Sequence, residues 1–397
     1  MRWGTAVARI DSIDWLQIYD SHLVPTIEYR MRLSDGARGR GASPHGETVG
    51  IFETEDRSIG AATIVETLTR DGILDRDWDQ AGFDAYLHGN MALFGKNTCY
   101  ALSLAFYNSV ENSSVSQGDC CGQRDLARPR LCCNILNGGR HAYTNPVLSD
   151  FSEYLLVARK DDIPTVLGMH DEVQRAVHEA LVALPKTVVN SNTVSSFPNR
   201  ENRECVEFLL GMLDRLGLSG DFDLMIDAAA SGLRTPAGYE LELTSGVLYS
   251  SDEFCDYWLG LIRDYPLRFL EDPFGEQDDD SWTRLTTSQD GCLVIGDDYY
   301  CSDAARIEAG ASASRAHGVI IKPNQAGSVT AVRRAIDAAS TAGQIAIVSH
   351  RSVSTEAPFE AVLASSPDVP YIKIGPLITD YSSVIRLNEI IRLTAAG

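Results

Sequence analysis

The sequence predicts an α/β protein: a variant (β/α)8 TIM barrel carrying a smaller N-terminal α+β domain. Three observations carry that prediction. Beyond about residue 127, short apolar runs ending in a polar residue alternate with helical segments at regular intervals. Before it, the first ~35 residues alternate apolar and polar in the manner of antiparallel strands. And 397 residues exceed the ~250–300 at which a single core stops growing.

At the N-terminus, IDWLQIYD and TIEYRMRL read as two strands joined by the turn-like SHLVP. The Gly-rich stretch DGARGRGASPHGE follows and reads as a mobile loop. Residues 58–112 are mainly helical in pattern, with IGAATIVETL and CYALSLAFYNSV supplying apolar faces. NSSVSQGDCCGQRD reads as a linker, which puts the domain boundary near residue 127: an N-terminal capping domain over 1–127 and a barrel with the active site over 128–397.

In the second part the runs are LCCNILNGG, FDLMID, LRFLED, CLVIGDD, GVIIKPN, IAIVSH and YIKIG. From the second run onward they end near Asp227, Glu271, Asp297, Lys322, His350 and Lys373, at intervals of 44, 26, 25, 28 and 23 residues. A strand, a helix and two loops occupy about that length, so the pattern is a βα array. Unbroken apolar runs mean strands covered on both faces, as in a parallel sheet, which stays open or closes into eight strands. Polar residues at successive strand ends favour closure, because barrels gather reacting groups there. Helix capping explains one or two such residues. It does not explain Lys322 and Lys373, two of only five lysines in a chain with 34 Lys plus Arg.

Composition removes several function classes. A net charge of −21 argues against nucleic acid, whose phosphates require clustered Lys and Arg. No apolar run of ~18 residues is present, so no membrane span is expected. MRWGTAVARIDSIDW has no apolar signal region, and the expected compartment is the cytoplasm. Nine cysteines without a signal suggest free thiols, with Cys132 and Cys133 in a buried strand.

Asp227, Glu271 and Asp297 on successive strand ends suit a hard divalent cation such as Mg2+, which takes oxygen ligands and leaves positions open to substrate. Lys322 is a candidate base. A nearby cation and partial burial would lower its pKa, and the cation would stabilise an enediolate formed beside a carboxylate.

MIDAAAS, FLEDPF, VIGDD, IIKPNQAGSVT, IVSHRS and IKIG occur in order, preceded by LNGGRHA and, near the start, YDSHLVPTIE and GASPHGE. Together they resemble the enolase family over almost the whole chain. The resemblance implies a barrel that opens with two strands and two helices, one or two Mg2+ ions and a homodimer. It implies that Asp227, Glu271 and Asp297 hold the first Mg2+, that Lys322 removes the proton beside the substrate carboxylate, and that Lys373 pairs with that carboxylate. Arg351 and Ser352, with His350 beside them, would hold the phosphoryl-type group. Ser43 would close over the site with a second Mg2+, His141 would hold substrate, and Glu153 would be one of the family's two glutamates near the leaving hydroxyl.

The second glutamate, carried by enolases in a GDEGG stretch before Ala-Pro-Asn, is missing. VNSNTVSSFPN stands there, with Thr193 at the acid's position and Asn192 beside it. General-acid help is worth ~10²–10⁴ in rate, so plain dehydration should suffer. The chain therefore resembles specialised members that form carboxyphosphonoenolpyruvate in phosphinothricin-type phosphonate biosynthesis, from 2-phosphoglycerate and a cytidine-activated phosphonoformate. The alternatives are phosphopyruvate hydratase (enolase), with Glu201 or Glu204 supplying the acid, and a catalytically retired enolase acting as a binding protein. In each active reading the partner is a small phosphorylated or phosphonylated carboxylate.

Overall fold

The computed structural model describes residues 6–43, 59–116, 126–139, 144–351, 353–375 and 381–395. The N-terminal part opens with β1 (Ala8–Tyr19), β2 (Pro25–Leu33) and β3 (Arg38–Ala42). It continues through α1 (Ala61–Arg70), β4 (Asp77–Trp78), α2 (Gln80–Gly89), α3 (Met91–Phe94) and α4 (Lys96–Ser116). The strands form an antiparallel sheet in the order β3-β2-β1-β4. Alternate residues Tyr29, Met31 and Leu33 of β2 face the helices and join Ile10, Phe83, Phe94 and Phe106 in a core of their own.

The stretch expected to be a mobile loop is corrected in its first half, which is strand β3, while its residues 44–47 lie outside the described residues. Gly39 and Gly41 alternate along it and let α4 approach the strand backbone. A Cβ on Gly39 would lie 2.2 Å from the Ser109 nitrogen, and one on Gly41 2.1 Å from the Ala101 oxygen. These glycines serve packing rather than mobility.

The barrel begins with β5 (Arg130–Asn137) and β6 (Glu153–Ala158), then α5 (Ile163–Val182), a hairpin of β7 (Lys186–Val189) and β8 (Asn192–Ser195), and α6 (Asn202–Leu216). β9 (Phe222–Asp227) follows, then three short strands, β10 (Arg234–Thr235), β11 (Gly238–Glu240) and β12 (Leu248–Tyr249). After α7 (Ser251–Asp264), strand and helix alternate: β13 (Leu267–Glu271), α8 (Asp279–Thr287), β14 (Leu293–Gly296), α9 (Ala304–Ser312) and β15 (Gly318–Ile321). The short α10 (Pro323–Ala326) and α11 (Val329–Thr341) lead to β16 (Ile345–Ser349), α12 (Phe359–Ala364), β17 (Tyr371–Ile374) and α13 (Tyr381–Ala395).

Eight strands close in the order β13-β14-β15-β16-β17-β5-β6-β9. Cys132, Leu155, Val157, Met225, Phe269, Ile295, Ile320 and Ile347 fill the interior, so the barrel is a packed core rather than a pore. All neighbours are parallel except β6, which runs antiparallel to both β5 and β9. The reversal has a chemical consequence. The first residue of β6, Glu153, pairs in register with Asp227, the last residue of β9, and with Asn137, the last of β5. A side chain that begins its strand thereby reaches the mouth where the others end.

The N-terminal part docks on α11. The Asp84 carboxylate accepts from the Thr330 backbone N–H at 2.8 Å, and Ser103 Oγ accepts from that of Val329 at 2.9 Å, satisfying donors at a helix start. Among the described residues no helix is long and apolar enough to cross a membrane. The seven described cysteines are free thiols and buried, Cys132 and Cys133 among them. The acidic run 276–280 is anchored: Glu276 is buried and accepts from Ser231, while Asp279 and Asp280 start α8.

Candidate active site

The strand ends bring four carboxylates and two lysines together at one mouth of the barrel. Glu271 ends β13 directly across from Asp227 at the end of β9, and Asp297 follows β14 on the next strand over. Lys373, on β17, reaches across the mouth. Its Nζ lies 2.7 Å from Asp227 Oδ2, 2.7 Å from Glu271 Oε2 and 3.0 Å from Glu153 Oε2. Lys322, immediately after β15, pairs with Asp297. Asn134 on β5 donates to Glu153 Oε1 at 2.6 Å and holds that carboxylate against Lys373. The regular βα spacing thus becomes convergence in space for Asp227, Glu271, Asp297, Lys322 and Lys373, and the reversed strand adds Glu153.

Burial makes these charges interact strongly. Desolvation, with Asp227 and Asp297 beside it, pushes the Glu271 carboxyl well above the usual carboxylate range, and Lys373 only partly offsets this. For Asp227 burial also raises, but Lys373 and Lys322 outweigh it and the net displacement is downward. Burial alone would lower both lysines. Asp297 and Asp298 overcome it at Lys322, as Asp227, Glu153 and Glu271 do at Lys373, so both ammonium groups are held charged. Without the cation, the pairing with Asp297 keeps Lys322 in its charged form. A divalent cation drawing on the Asp297 charge would remove that support and shift Lys322 toward its neutral, basic form.

The residues fit such a cation. Asp227, Glu271 and Asp297 offer an all-oxygen set of the kind Mg2+ prefers. Asp297 Oδ1 is buried without a hydrogen-bond partner, a condition that normally costs ~1–3 kcal/mol and that a metal would relieve. Four carboxylates share two ammonium groups, so the acids outnumber their lysine partners. When bound, the cation would supply Lewis-acid stabilisation of an enediolate.

Other site residues fall into three groups. His350 and Arg351 follow β16, and both lie close enough to the lysines to act electrostatically: Arg351 lowers Lys322, and Lys373 and Lys322 help lower His350 after burial. Ser43, at the end of β3, donates to Asn97 Oδ1 at 2.9 Å, and Asn324 Nδ2 donates to the same oxygen at 3.3 Å. That chain joins the N-terminal part to the turn after Lys322. His141 and Ser352 lie outside the described residues.

Thr193 sits on the exposed face of the β7–β8 hairpin, opposite exposed Val188, while the neighbouring Val194 and Ser195 are buried. The two nearby carboxylates are engaged at the start of α6, where Glu204 accepts from the backbone N–H groups of Asn199 and Glu201 and Glu201 pairs with Arg203. Sequence reasoning missed Asn134, Asp272 and Asp298. The last two follow Glu271 and Asp297, so the doubled acids of FLEDPF and VIGDD were the available signal.

Comparison with known proteins agrees with this geometry. The family described as "Enolase, C-terminal TIM barrel domain" matches residues 126–396. "Enolase 2" of Methanospirillum hungatei is 30% identical over an alignment of 417 positions, covering 96% of this chain and 95% of that protein. "Enolase" of Tropheryma whipplei is 28% identical over an alignment of 421 positions, with the same coverage. With its barrel matched and both lysines converging on the strand-end carboxylates, the chain belongs to the enolase family.

Proposed function

We propose that the protein is a Mg2+-dependent enzyme that forms an enolate from 2-phosphoglycerate, expels the C3 hydroxyl as water and replaces the phosphoryl group on the enol oxygen by the phosphonoformyl group of a cytidine-activated phosphonoformate, giving carboxyphosphonoenolpyruvate with release of CMP and inorganic phosphate. One observation carries this reading: the residues expected to form the enolate are kept, while among the described residues Thr193 stands where the family's second acid is expected. Lys322 removes the proton beside the substrate carboxylate, Lys373 pairs with that carboxylate, and Asp227, Glu271 and Asp297 hold Mg2+. Arg351, His350 and Ser352 bind the phosphoryl-type group, Ser43 contributes a second Mg2+ contact, and His141 helps hold substrate. Glu153, fixed by Asn134 and Lys373, is the carboxylate left to assist departure of the hydroxyl. Thr193 offers no ionisable proton, and Glu201 and Glu204 are committed to helix capping and a surface ion pair. We further propose that it acts in the cytoplasm as a homodimer.

The relatives named enolase favour a second reading, conversion of 2-phosphoglycerate to phosphoenolpyruvate. A phosphorus NMR time course with protein, Mg2+, 2-phosphoglycerate and cytidylyl-activated phosphonoformate separates the two. New phosphonate ester with released CMP supports the synthase. Phosphoenolpyruvate alone, formed at enolase-like speed, supports plain enolase, and no turnover with either substrate supports a retired family member.

A further inference from the structure

Asp272 directly follows the candidate ligand Glu271, yet its own carboxylate is turned to other work. It is a buried residue with φ of 42°, in the left-handed region that non-glycine residues occupy only where the surroundings over-determine it. Its Oδ1 accepts the Asp297 backbone N–H at 2.8 Å and its Oδ2 accepts that of Asp298 at 2.9 Å. The Asp272 N–H donates to the Ile295 carbonyl at 3.0 Å, and its carbonyl accepts from Ala230 at 3.1 Å. One residue therefore ties together the end of β13, the end of β14 and the turn after β9, the three segments that carry Glu271, Asp297 and Asp227.

Single ligating oxygens of Asp272, Asp297 and Asp298 lie within 4.8 Å of one another, which on spacing alone suggests a three-aspartate cation site. The hydrogen bonds favour a different role, because both Asp272 oxygens already face peptide N–H donors. We propose that Asp272 is a positioning residue: its carboxylate clamps the Asp297–Asp298 turn so that Asp297 is held toward Lys322 and the cation, while its backbone conformation aims Glu271 at the same place. The proposal rests on Asp227, Glu271 and Asp297 being the ligands of a divalent cation.

Two substitutions on the full-length chain test it. Asp272→Asn keeps the size and tolerates the left-handed backbone, but its amide nitrogen cannot accept, so one peptide N–H loses its acceptor. Asp272→Gly adopts the same φ without strain and removes the clamp entirely. The readout is the Mg2+ dissociation constant by calorimetry, with the near-UV circular dichroism of the metal-free protein as the check on fold. The expected result is native-like dichroism with Mg2+ binding weakened ~10–100-fold, the range typical of groups that orient metal ligands. Binding by a folded variant within about 3-fold of the parent, well short of that range, overturns the proposal. If one variant fails to fold the other decides, and loss of the native fold by both overturns it too, as that marks a purely structural residue. A parent chain that does not bind millimolar Mg2+ sinks the metal assignment itself, whereas a parent that binds as its folded variants do sinks only the role of Asp272.

Discussion

The two sides of the barrel mouth are built differently. From β9 through β17, buried acids and lysines interlock: Asp227 and Glu271 meet Lys373, and Asp297 meets Lys322. On the other side, the segment where the family carries its second acid is a two-stranded hairpin with Thr193 exposed. Interlocked buried charges tolerate little change, because removing one partner strands the other at a cost of ~3–5 kcal/mol. The exposed face of the hairpin, which carries Val188 and Thr193, tolerates substitution more readily. A family member can therefore alter what happens to the leaving group while keeping how the enolate is made.

The sharpest way to break the comparison is to disable the interlocked side. Lys322→Ala should lower turnover by ~10²–10⁴, the worth of general acid–base catalysis, in a chain whose thermal unfolding stays cooperative. Substantial residual turnover in the NMR assay would remove Lys322 from the role of base.

Next in size is the metal. Mg2+ at a hundred times its dissociation constant should stabilise the parent by about 2.7 kcal/mol, read as a rise in Tm. Asp227→Asn should abolish that rise, and an undiminished rise would place the ion elsewhere. Because burial and its acidic neighbours raise the Glu271 pKa, Mg2+ competes with a proton for that carboxylate. Affinity should therefore increase with pH, and calorimetry in buffers of different ionisation enthalpy should register proton release.

An effect of comparable size probes the outer layer behind Glu153. His170 on α5 is buried near Asn134, whose carbonyl accepts from Gln174, and Gln174 in turn contacts the His170 ring. Burial lowers the His170 pKa to about 4. The sign follows directly: the folded state holds a neutral ring, so stability is full above the unfolded value near 6.5 and is lost as pH falls toward 4. The loss should reach on the order of 3 kcal/mol, and His170→Gln should flatten this acid limb in denaturant titrations between those pH values. An unchanged limb would assign the acid sensitivity to other groups.

What sequence reveals of this mouth depends on how each residue is used. Asp227, Glu271, Asp297, Lys322 and Lys373 were legible because βα units repeat at near-constant length and each residue ends or follows an apolar run. Glu153 breaks that rule, since β6 runs the other way and begins with its functional residue; only the motif resemblance singles it out. Gly39 and Gly41 look like flexibility in one dimension, and their contact with α4 appears only in three. Asp272 works through acceptance of backbone N–H groups, which no side-chain pattern announces.

Thr193 shows the same limit from the other direction, because alignment supplies a position but not the face on which it lies. If a missing carboxyl were the whole difference, Thr193→Glu would recover much of the ~10²–10⁴ that a general acid contributes to dehydration of 2-phosphoglycerate. On the exposed face, opposite Val188, the new carboxylate would instead meet solvent. The expected gain in phosphoenolpyruvate formation is thus small, less than about 10-fold, the smallest effect considered and below the range for a working acid. A gain of 100-fold or more, in the range the general acid itself supplies, would mean that the hairpin turns Thr193 inward when substrate binds. In that case one residue separates the two sides of the mouth; otherwise the whole hairpin does, and a large gain in phosphoenolpyruvate formation would require rebuilding the segment from Asn190 to Asn199.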